Sequence, residues 1–335
     1  MNVGLIGGGN ISETHARAVR AAGLHLVGVF GDNQSKARQL AESHGAVAYE
    51  TLDALVLQPS IDIVVIGSPS GCHADAARTA VLAGCHVLVE KPLDISTAKV
   101  DKLLHKVGNA GVTLGVCFQD RLKPDVVSMK RRIEGGEIGT PLIATAEVKW
   151  FRPRDYYASS RWRGTWALDG GGALMNQGIH TVDLLLHMLG PVTRVSGVTA
   201  TRFHTIETED TATALLEFAS GAQATIDVTT AAFPGRPRRL LIAGTAGSLL
   251  LDGDHLREPA GEPESASARS AERPPENAAS PVVSDVSAHQ RIIEDFVDAV
   301  RAGRPPVCDG VEGRRSVEVV EAVYRSAREK RAIDL

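Results

Sequence analysis

The chain begins with a short apolar segment that runs directly into three consecutive glycines. Residues 3–6 have the pattern of a buried strand, residues 7–9 are all glycine, and a helical pattern begins near Ser12. A strand, a glycine turn and a helix in this order are typical of a dinucleotide-binding fold, in which the pyrophosphate lies at the helix N-terminus. The spacing predicts that Gly7 allows the tight turn, that Gly9 admits the pyrophosphate and that Ser12 takes the third, small position. A tight turn without a ligand is the alternative interpretation.

Strand and helix patterns continue to alternate through the first 121 residues. Apolar runs end near residues 30, 67, 89 and 118, and helical patterns cover residues 35–44 and 73–84. Such repetition predicts an α/β fold with a parallel, doubly wound sheet. Because 335 residues are enough for two domains, we expect a dinucleotide-binding Rossmann domain over residues 1–121 and a second α/β domain over residues 122–335.

Asp32 is the candidate for choosing between the two nicotinamide cofactors. It follows the second predicted strand and lies 25 residues after Gly7. An acid about 20 residues beyond the first glycine usually binds the ribose 2′-hydroxyl of NAD. Residues 33–36 could instead face a 2′-phosphate, so NAD is the expectation and NADP stays open. Michaelis constants for the two cofactors distinguish them.

Residues 87–92 change abruptly from apolar to charged. A strand-like Val-Leu-Val is followed by Glu90, Lys91 and Pro92. Proline cannot donate to a sheet ladder, so the strand should end there. Glu90 and Lys91 would then stand at the carboxyl end of a parallel strand, where open α/β sheets bind ligands. Lys91 is therefore a candidate for chemistry, and a surface salt bridge is the alternative.

From residue 122 onward a helical pattern at 124–134 precedes a series of alternating strands. These cover residues 142–150, 195–202, 211–218, 222–229, 239–243 and 248–251. Ser220 and Gly221 predict a hairpin turn between two of them. Residues 257–281 have the composition of a mobile surface loop. Two helical patterns follow, at 289–302 with Gly303 as the C-cap and at 312–328.

The segment between the first two of these strands is chemically dense. Although only 4% of the chain is aromatic, this segment contains Tyr156, Tyr157, Arg161, Trp162, Arg163 and Trp166. A helical pattern follows a triple glycine from residue 174. Because residues four apart share a helix face, Asn176 and His180 should lie side by side, with Asp183 flanking them. A lone helical histidine is more commonly structural, but this polar line is a candidate catalytic set.

The glycine turn, the Ser68-Pro69 loop with His73, and Glu90-Lys91-Pro92 together resemble the glucose–fructose oxidoreductase, inositol dehydrogenase and rhizopine catabolism (Gfo/Idh/MocA) family. The likeness extends along nearly the whole chain. It implies a Rossmann domain followed by a substrate-binding domain with a large open, mostly antiparallel sheet. It also implies a bound nicotinamide cofactor, hydride transfer at a sugar or polyol carbon, and a homodimer or homotetramer formed through that sheet.

The resemblance extends to individual residues and to one branch of the family. It implies that Lys91 is catalytic and that His180, four residues after Asn176, is the acid/base. The sequence of residues 162–172 and 207–212 resembles that of the family branch that oxidises the 3-hydroxyl of UDP-linked N-acetylglucosaminuronate. Dehydrogenases of free polyols commonly have aspartate where this chain has Asn176. A dehydrogenase of free inositol or an aldose stays open, as does a non-catalytic, cofactor-sensing regulator.

The expected site residues fall into three overlapping sets. The cofactor set is Gly7, Gly9, Asn10, Ile11, Asp32, Ser68, Pro69, Ser70, His73, Glu90, Lys91 and Gln119. The catalytic set is Lys91, Asn176 and His180. The substrate set is Lys91, Arg121, Tyr156, Arg163, Asn176, Gln177 and His180. An arginine fork suits a carboxylate or phosphate, so Arg163 and the tyrosines could hold an anionic sugar.

Composition excludes several other classes of protein. A net charge of −4 gives no basic face for nucleic acid, and the 43% apolar content supports large cores. The four cysteines are scattered, which favours free thiols in a reducing compartment. We expect no metal, since no ligand spacing is recognisable. Without a leader-like or membrane-length apolar run, a soluble cytoplasmic protein is expected.

Overall fold

The computed structural model describes residues 1–257 and 285–335, which form two compact units. Unit 1 consists of residues 1–122, 166–170 and 285–318. Unit 2 consists of residues 123–165, 171–257 and 319–335. The chain first passes from unit 1 to unit 2 after residue 122. The two later returns to unit 1 leave no signal in the hydrophobic pattern.

Unit 1 is built on a parallel six-stranded sheet. Its strands are β1 (Asn2–Ile6), β2 (His25–Phe30), β3 (Val47–Tyr49), β4 (Ile63–Ile66), β5 (His86–Glu90) and β6 (Leu114–Cys117). They lie in the order β3-β2-β1-β4-β5-β6, and every pair is parallel. This confirms the doubly wound sheet. The strand order reverses between β1 and β4, which is where such sheets bind ligands at their carboxyl edge.

Five helices connect these strands. They are α1 (Asn10–Ala21), α2 (Gln34–His44), α3 (Leu52–Val56), α4 (His73–Leu82) and α5 (Thr97–Ala110). Sequence patterns had not indicated β3, α3 or α5. The first two are three and five residues long, too short for a period to emerge.

Unit 2 contains an eight-stranded, mostly antiparallel sheet. Its strands are β7 (Pro141–Lys149), β8 (Val192–Ala200), β9 (Thr211–Phe218), β10 (Gln223–Thr229), β11 (Arg239–Gly244), β12 (Ser248–Asp252), β13 (His255–Arg257) and β14 (Ile333–Asp334). They lie in the order β13-β12-β11-β7-β10-β9-β8-β14, and only β7 and β10 pair in parallel. This confirms the open sheet. The hairpin turn predicted at Gly221 joins β9 to β10, with φ at 87°.

Three helical segments precede or follow β7 in unit 2: α6 (Pro124–Glu134), α7 (Arg154–Ala158) and α8 (Ile179–Leu189). A π-helical turn, Ala173–Gly178, leads directly into α8. The continuous α-helix expected from residue 174 is therefore wrong in its first five residues, 174–178. A π turn is wider than an α turn, so the face-sharing argument for Asn176 and His180 does not hold as stated.

Two long helices close the described chain, α9 (Ser287–Ala302) and α10 (Gly310–Glu329). Helix α9 ends at Gly303 in the left-handed conformation, as predicted. Its Phe296 completes the unit 1 core: a Cβ on Gly115 of β6 would lie 2.7 Å from the Phe296 ring. The small residue in β6 thus makes room for an aromatic ring from the far end of the chain.

Two sequence expectations concern surface and solvent. The predicted loop at 257–281 lies, apart from Arg257 at the end of β13, outside the described residues. Within residues 1–257 and 285–335, no helix is long and apolar enough to cross a membrane.

Candidate active site

Two glycines of the turn after β1, Gly7 and Gly9, have different surroundings. Gly7 has φ at 132°, and a Cβ there would lie 2.4 Å from Ser12 Oγ and 2.7 Å from the Gly67 carbonyl. No side chain fits at Gly7. A Cβ on Gly9 would meet nothing within 4 Å, and α1 begins beyond Gly9 without a side-chain cap. The open space and the free N–H groups of the helix start together form a cradle for an anion.

Buried polar atoms without partners line the same edge of the unit 1 sheet. Ser12 Oγ, Ser68 Oγ and Gln119 Oε1 are buried and have no hydrogen-bond partner. They follow β1, β4 and β6 respectively. Buried polar atoms in native proteins are nearly always paired, so these three fit a bound group that supplies donors and acceptors. A dinucleotide is such a group.

Asp32 is exposed two residues beyond the end of β2. This position suits an acid that binds a ribose hydroxyl. Lys36 of α2 is also near, since a Cβ on Gly8 would lie 3.2 Å from the Lys36 Cβ. Unit 1 therefore offers the acid expected for NAD together with a neighbouring cation.

The side chains of His73 and Arg121 both make hydrogen bonds within unit 1. His73 Nδ1 lies 2.7 Å from the Pro92 carbonyl and Nε2 lies 2.8 Å from the Ser68 carbonyl, so the ring joins the loops after β4 and β5. Arg121 is buried, and its guanidinium donates to the Val307 carbonyl at 3.1 Å and to Glu312 at 3.2 Å. His73 and Arg121 stay predicted contacts of the cofactor and the substrate, and these hydrogen bonds fix where their side chains lie.

Glu90 stands at the end of β5, next to the half-buried Lys91. Its Oε1 accepts a hydrogen bond from His15 Nε2 at 2.8 Å and lies 3.7 Å from His289 Nε2. Its Oε2 accepts the Lys91 backbone N–H at 3.1 Å. Burial acts to raise the pKa of Glu90, but hydrogen bonds from the two histidines outweigh it and hold that pKa well below its usual range.

The His15–Glu90–His289 cluster was not visible in the sequence. Its three potential ligand atoms lie within 4.8 Å of one another, which corrects the expectation that no such grouping exists. Metal-binding histidines nearly always donate their second ring N–H to an acceptor. Neither His15 Nδ1 nor His289 Nδ1 has a partner. The cluster is therefore better described as a hydrogen-bonded acid and two imidazoles than as a metal centre.

Unit 2 brings together four of the predicted substrate residues, Gln177 and three neighbours. Gln177 Nε2 donates to Tyr156 Oη at 3.0 Å and to Asn176 Oδ1 at 2.9 Å. The Arg163 guanidinium stacks on the Tyr156 ring, with its central carbon 4.4 Å from the centroid. Tyr156, Arg163, Asn176 and Gln177 thus form one polar and aromatic group.

Arg152 belongs to the same group and was missed in the sequence. It donates to Gln177 Oε1 at 3.3 Å and lies over the rings of Trp150 and Tyr156 at 5.1 and 5.4 Å. Burial lowers its pKa from the ordinary arginine value. Its closeness in sequence to the aromatic segment was a signal, but its burial could not be read from the pattern.

The π turn presents Asn176, and α8 presents His180 one residue after its start. Both side chains are half-buried, whereas Asp183 is fully buried and does not flank them at the surface. Glu209 anchors the start of the turn: its carboxylate accepts from Gly172 N at 2.9 Å and Leu174 N at 2.8 Å. Burial raises the pKa of Glu209 to about 7, although these donors favour its charged form.

A doubly wound sheet with an open glycine cradle, an acid after β2 and unpaired polar atoms along its carboxyl edge defines a dinucleotide-binding protein. Comparison with known proteins makes this specific. Residues 1–118 match the oxidoreductase family with an NAD-binding Rossmann fold, and residues 126–250 match the GFO/IDH/MocA C-terminal domain. The chain belongs to this family of NAD-binding oxidoreductases, as the sequence motifs indicated.

Similar proteins span much or all of the chain. The WlbA dehydrogenase of Bordetella pertussis, solved in complex with NADH and UDP-GlcNAcA, is 32% identical over 100% of this chain and 98% of its own, with a TM-score of 0.88. Inositol 2-dehydrogenase of Rhizobium meliloti is 29% identical over 99% of this chain and 98% of its own. The uncharacterized oxidoreductase YrbE of Bacillus subtilis is 31% identical over 74% of this chain and 73% of its own.

Proposed function

We propose that this enzyme oxidises a secondary hydroxyl of an anionic, nucleotide-linked sugar of the N-acetylated uronate class, with NAD as the hydride acceptor. The observation that most directly supports this proposal is the environment of the Arg163 side chain. Its guanidinium stacks on Tyr156, its Nε is buried without a partner, and it makes no ion pair with any described residue. A guanidinium in this position, beside the polar side chains of Asn176 and Gln177, can bind a carboxylate or a phosphate of the substrate.

Similarity to a dehydrogenase solved with UDP-GlcNAcA supports the same substrate class. Asn176 supports it too, because it stands where the resembling dehydrogenases of free polyols commonly have aspartate. The buried Arg152 adds a second positive charge to the group around Gln177. Two guanidinium groups around one tyrosine favour a negatively charged ligand over a neutral one.

In the proposed reaction the sugar C–H bond breaks and its hydride passes to the nicotinamide, while the hydroxyl loses its proton. His180 takes that proton, since imidazole is the side chain that most often serves as a general base at neutral pH. Lys91 donates a hydrogen bond to the same oxygen and stabilises the negative charge that develops there. Asn176 orients the sugar. NAD supplies the hydride chemistry, and the protein residues supply position and proton transfer.

A dehydrogenase of free inositol is the second candidate, favoured by the similarity to inositol 2-dehydrogenase over nearly the full length of both chains. The two candidate functions are distinguished by monitoring the reduction of NAD through absorbance at 340 nm. The enzyme is offered UDP-GlcNAcA, UDP-GlcNAc, myo-inositol and common aldoses in turn. The two UDP sugars are a matched pair that differs by the carboxylate. Turnover of UDP-GlcNAcA far above UDP-GlcNAc supports the proposal, and turnover of myo-inositol alone refutes it. Bound NAD without turnover of any sugar would favour the cofactor-sensing regulator.

We also propose that the enzyme is cytoplasmic and forms a dimer or tetramer through the unit 2 sheet. Apolar side chains on three of its strands are solvent-exposed in the single chain: Ile143 on β7, Val198 on β8 and Leu215 on β9. Burying such a surface against a second copy is favourable. Light scattering that gives a monomer mass at micromolar concentration would contradict the assembly.

A further inference from the structure

The side chain of Gln177 links three other side chains of unit 2. Its Oε1 accepts from the Arg152 guanidinium at 3.3 Å. Its Nε2 donates to Tyr156 Oη at 3.0 Å and to Asn176 Oδ1 at 2.9 Å. An amide NH2 group carries two N–H donors, so both donors of Gln177 are used within unit 2.

Arg152 determines which way round the Gln177 amide lies. An arginine side chain has N–H donors and no acceptor, so the atom of Gln177 that faces it must be the oxygen. The NH2 group then faces Tyr156 and Asn176. The two orientations of an amide have nearly the same shape, so it is the hydrogen-bonding character of Arg152, a residue only 3% exposed, that selects between them.

The hydroxyl of Tyr156 is a hydrogen-bond donor as a consequence. Its oxygen accepts from Gln177 Nε2. Burial lowers the pKa of Arg152, and a hydrogen bond with the Tyr156 side chain acts against this, so the guanidinium is a second donor to the same oxygen. A phenolic oxygen that accepts two N–H groups has only its own O–H left to offer. No residue within 1–257 or 285–335 accepts that proton, and Tyr156 is half-buried.

Positive charge surrounds the Tyr156 ring. The central guanidinium carbon of Arg163 lies 4.4 Å from the ring centroid and that of Arg152 lies 5.4 Å from it. Two like charges beside one ring repel each other, and a negatively charged ligand relieves that repulsion. A carboxylate has acceptor oxygens and no donor, so it can take the Tyr156 proton and face both cations.

We propose that Tyr156 is a fixed hydrogen-bond donor to an acceptor oxygen of the substrate, which in a uronate is the carboxylate. Arg152 and Gln177 are positioning residues that keep the Tyr156 O–H in that direction. The inference rests on the substrate class of the proposed function and assigns one contact within it. A sugar with a hydroxymethyl group in place of the carboxylate accepts the same proton, but without the charge that strengthens the bond.

Two variants test the proposal by calorimetric titration of the NADH-bound full chain with UDP-GlcNAcA. Tyr156→Phe keeps the ring on which Arg163 stacks and removes only the hydroxyl, so the dissociation constant should rise about 10- to 100-fold. Gln177→Glu keeps the length of the side chain and its bond to Arg152, but a carboxylate accepts where the amide donated. The Tyr156 O–H then turns toward the new carboxylate, and the dissociation constant should again rise at least about tenfold.

The double variant separates this turn of the hydroxyl from the effect of the added negative charge. Where the hydroxyl already faces the new carboxylate, adding Tyr156→Phe to Gln177→Glu should change the dissociation constant by less than about twofold. Independent effects would multiply instead. Multiplied effects, or wild-type affinity in Tyr156→Phe, would overturn the proposal.

UDP-GlcNAc is the matched control ligand, because it differs from UDP-GlcNAcA by the carboxylate. Tyr156→Phe should weaken its binding only about 2- to 10-fold, the value of a hydrogen bond between neutral groups. An equal loss for both sugars would overturn the carboxylate contact, and this comparison still decides should Gln177→Glu not fold.

Failure of the proposed function gives a different result. Turnover of myo-inositol alone refutes the uronate class, and the same variants are then titrated with myo-inositol. Coupling between Tyr156→Phe and Gln177→Glu in that titration upholds the fixed donor, and multiplied effects overturn it.

Discussion

The hydroxyl of Tyr324 donates a hydrogen bond to Glu209 over 2.9 Å and accepts the Met175 N–H at 3.2 Å. The Glu209 carboxylate accepts the backbone N–H groups of Gly172 and Leu174, and the Glu209 carbonyl accepts that of Ala173. Every backbone N–H from 172 to 175 therefore has an acceptor. Such groups at a helix start are otherwise unsatisfied. The turn that presents Asn176 is therefore held by two side chains from distant segments.

Replacing this anchor should loosen the turn. In Glu209→Gln one carboxylate oxygen becomes an NH2 group, so at least one buried N–H or O–H loses its acceptor. We expect the free energy of unfolding to fall by about 1–3 kcal/mol and kcat to fall by up to about 100-fold, with little change in the NAD dissociation constant. Urea denaturation and steady-state kinetics measure both. Tyr324→Phe is the milder comparison, and wild-type kcat in both variants would contradict the positioning.

Stability should also depend on pH through Glu209. Its folded pKa of about 7 lies above the ordinary value of 4.5, so the folded state binds the proton more tightly than the unfolded state. The stability that this provides is complete below pH 4.5 and is lost as the pH rises through 7. The loss should approach about 3 kcal/mol, and it should be absent from Glu209→Gln. Equal pH slopes for the two proteins in urea denaturation would show that Glu209 does not titrate in this range.

Lys91→Ala and His180→Ala should each lower kcat by at least about 100-fold, since each removes a group that serves the reacting oxygen. NAD affinity should change by less than about twofold, because neither side chain builds the glycine cradle. His187→Ala, seven residues along the same helix as His180, is the control and should retain activity. Near-normal turnover in both site variants would remove these residues from the mechanism.

Arg163→Gln should raise KM for an anionic sugar by about 10- to 100-fold, the value of hydrogen bonds to a charged group. The effect on kcat and on a neutral sugar should be small. Arg161→Gln serves as the matched control, because Arg161 lies in the same segment but is exposed. Equal changes in KM for charged and neutral sugars would argue against an anion contact at Arg163.

The two outer glycines of the turn should respond differently to the same methyl group. Gly7→Ala requires a left-handed backbone and an approach of 2.4 Å to Ser12 Oγ, so it should destabilise the fold by a few kcal/mol (about 1–3). Gly9→Ala meets no protein atom and should keep the wild-type melting temperature, yet weaken NAD binding by roughly tenfold by filling the cradle. Thermal melts and calorimetry distinguish the pair, and unchanged NAD affinity in Gly9→Ala would move the pyrophosphate elsewhere.

Sequence patterns predicted the parallel sheet and most strands of the open sheet because these depend on local periodicity and turn residues. Strand β9 begins and ends where its alternation predicted, and α6 lies between Pro124 and Gly135 as expected. The π turn at Ala173–Gly178 was not predictable in this way. It depends on Glu209 and Tyr324, which satisfy its N–H groups from far along the chain.

The same distinction between local sequence patterns and contacts from distant segments applies to the candidate site. Motifs with fixed local spacing, such as the glycine turn and Glu90-Lys91-Pro92, indicated the family correctly. Residues whose surroundings come from distant segments could not be placed from the sequence: Arg121 is tied to Glu312, and His15, which no motif singled out, meets His289 only in the folded unit. Charge and residue type suggested function for these side chains, but only the fold decides which of their atoms are available.

The return of helix α9 to unit 1 has a consequence for biosynthesis. The ring of Phe296 fills the space above Gly115, and His289 lies against Glu90, so the nucleotide-binding unit cannot be completed from its first 122 residues. A ribosome that adds 5–20 residues per second needs roughly 10 to 40 s to travel from residue 122 to residue 318. During that interval unit 2 is made while the β5–β6 side of unit 1 still exposes apolar surface. The nascent chain therefore leaves this surface uncovered until its last helices emerge, although the glycine turn is among the first segments to be made.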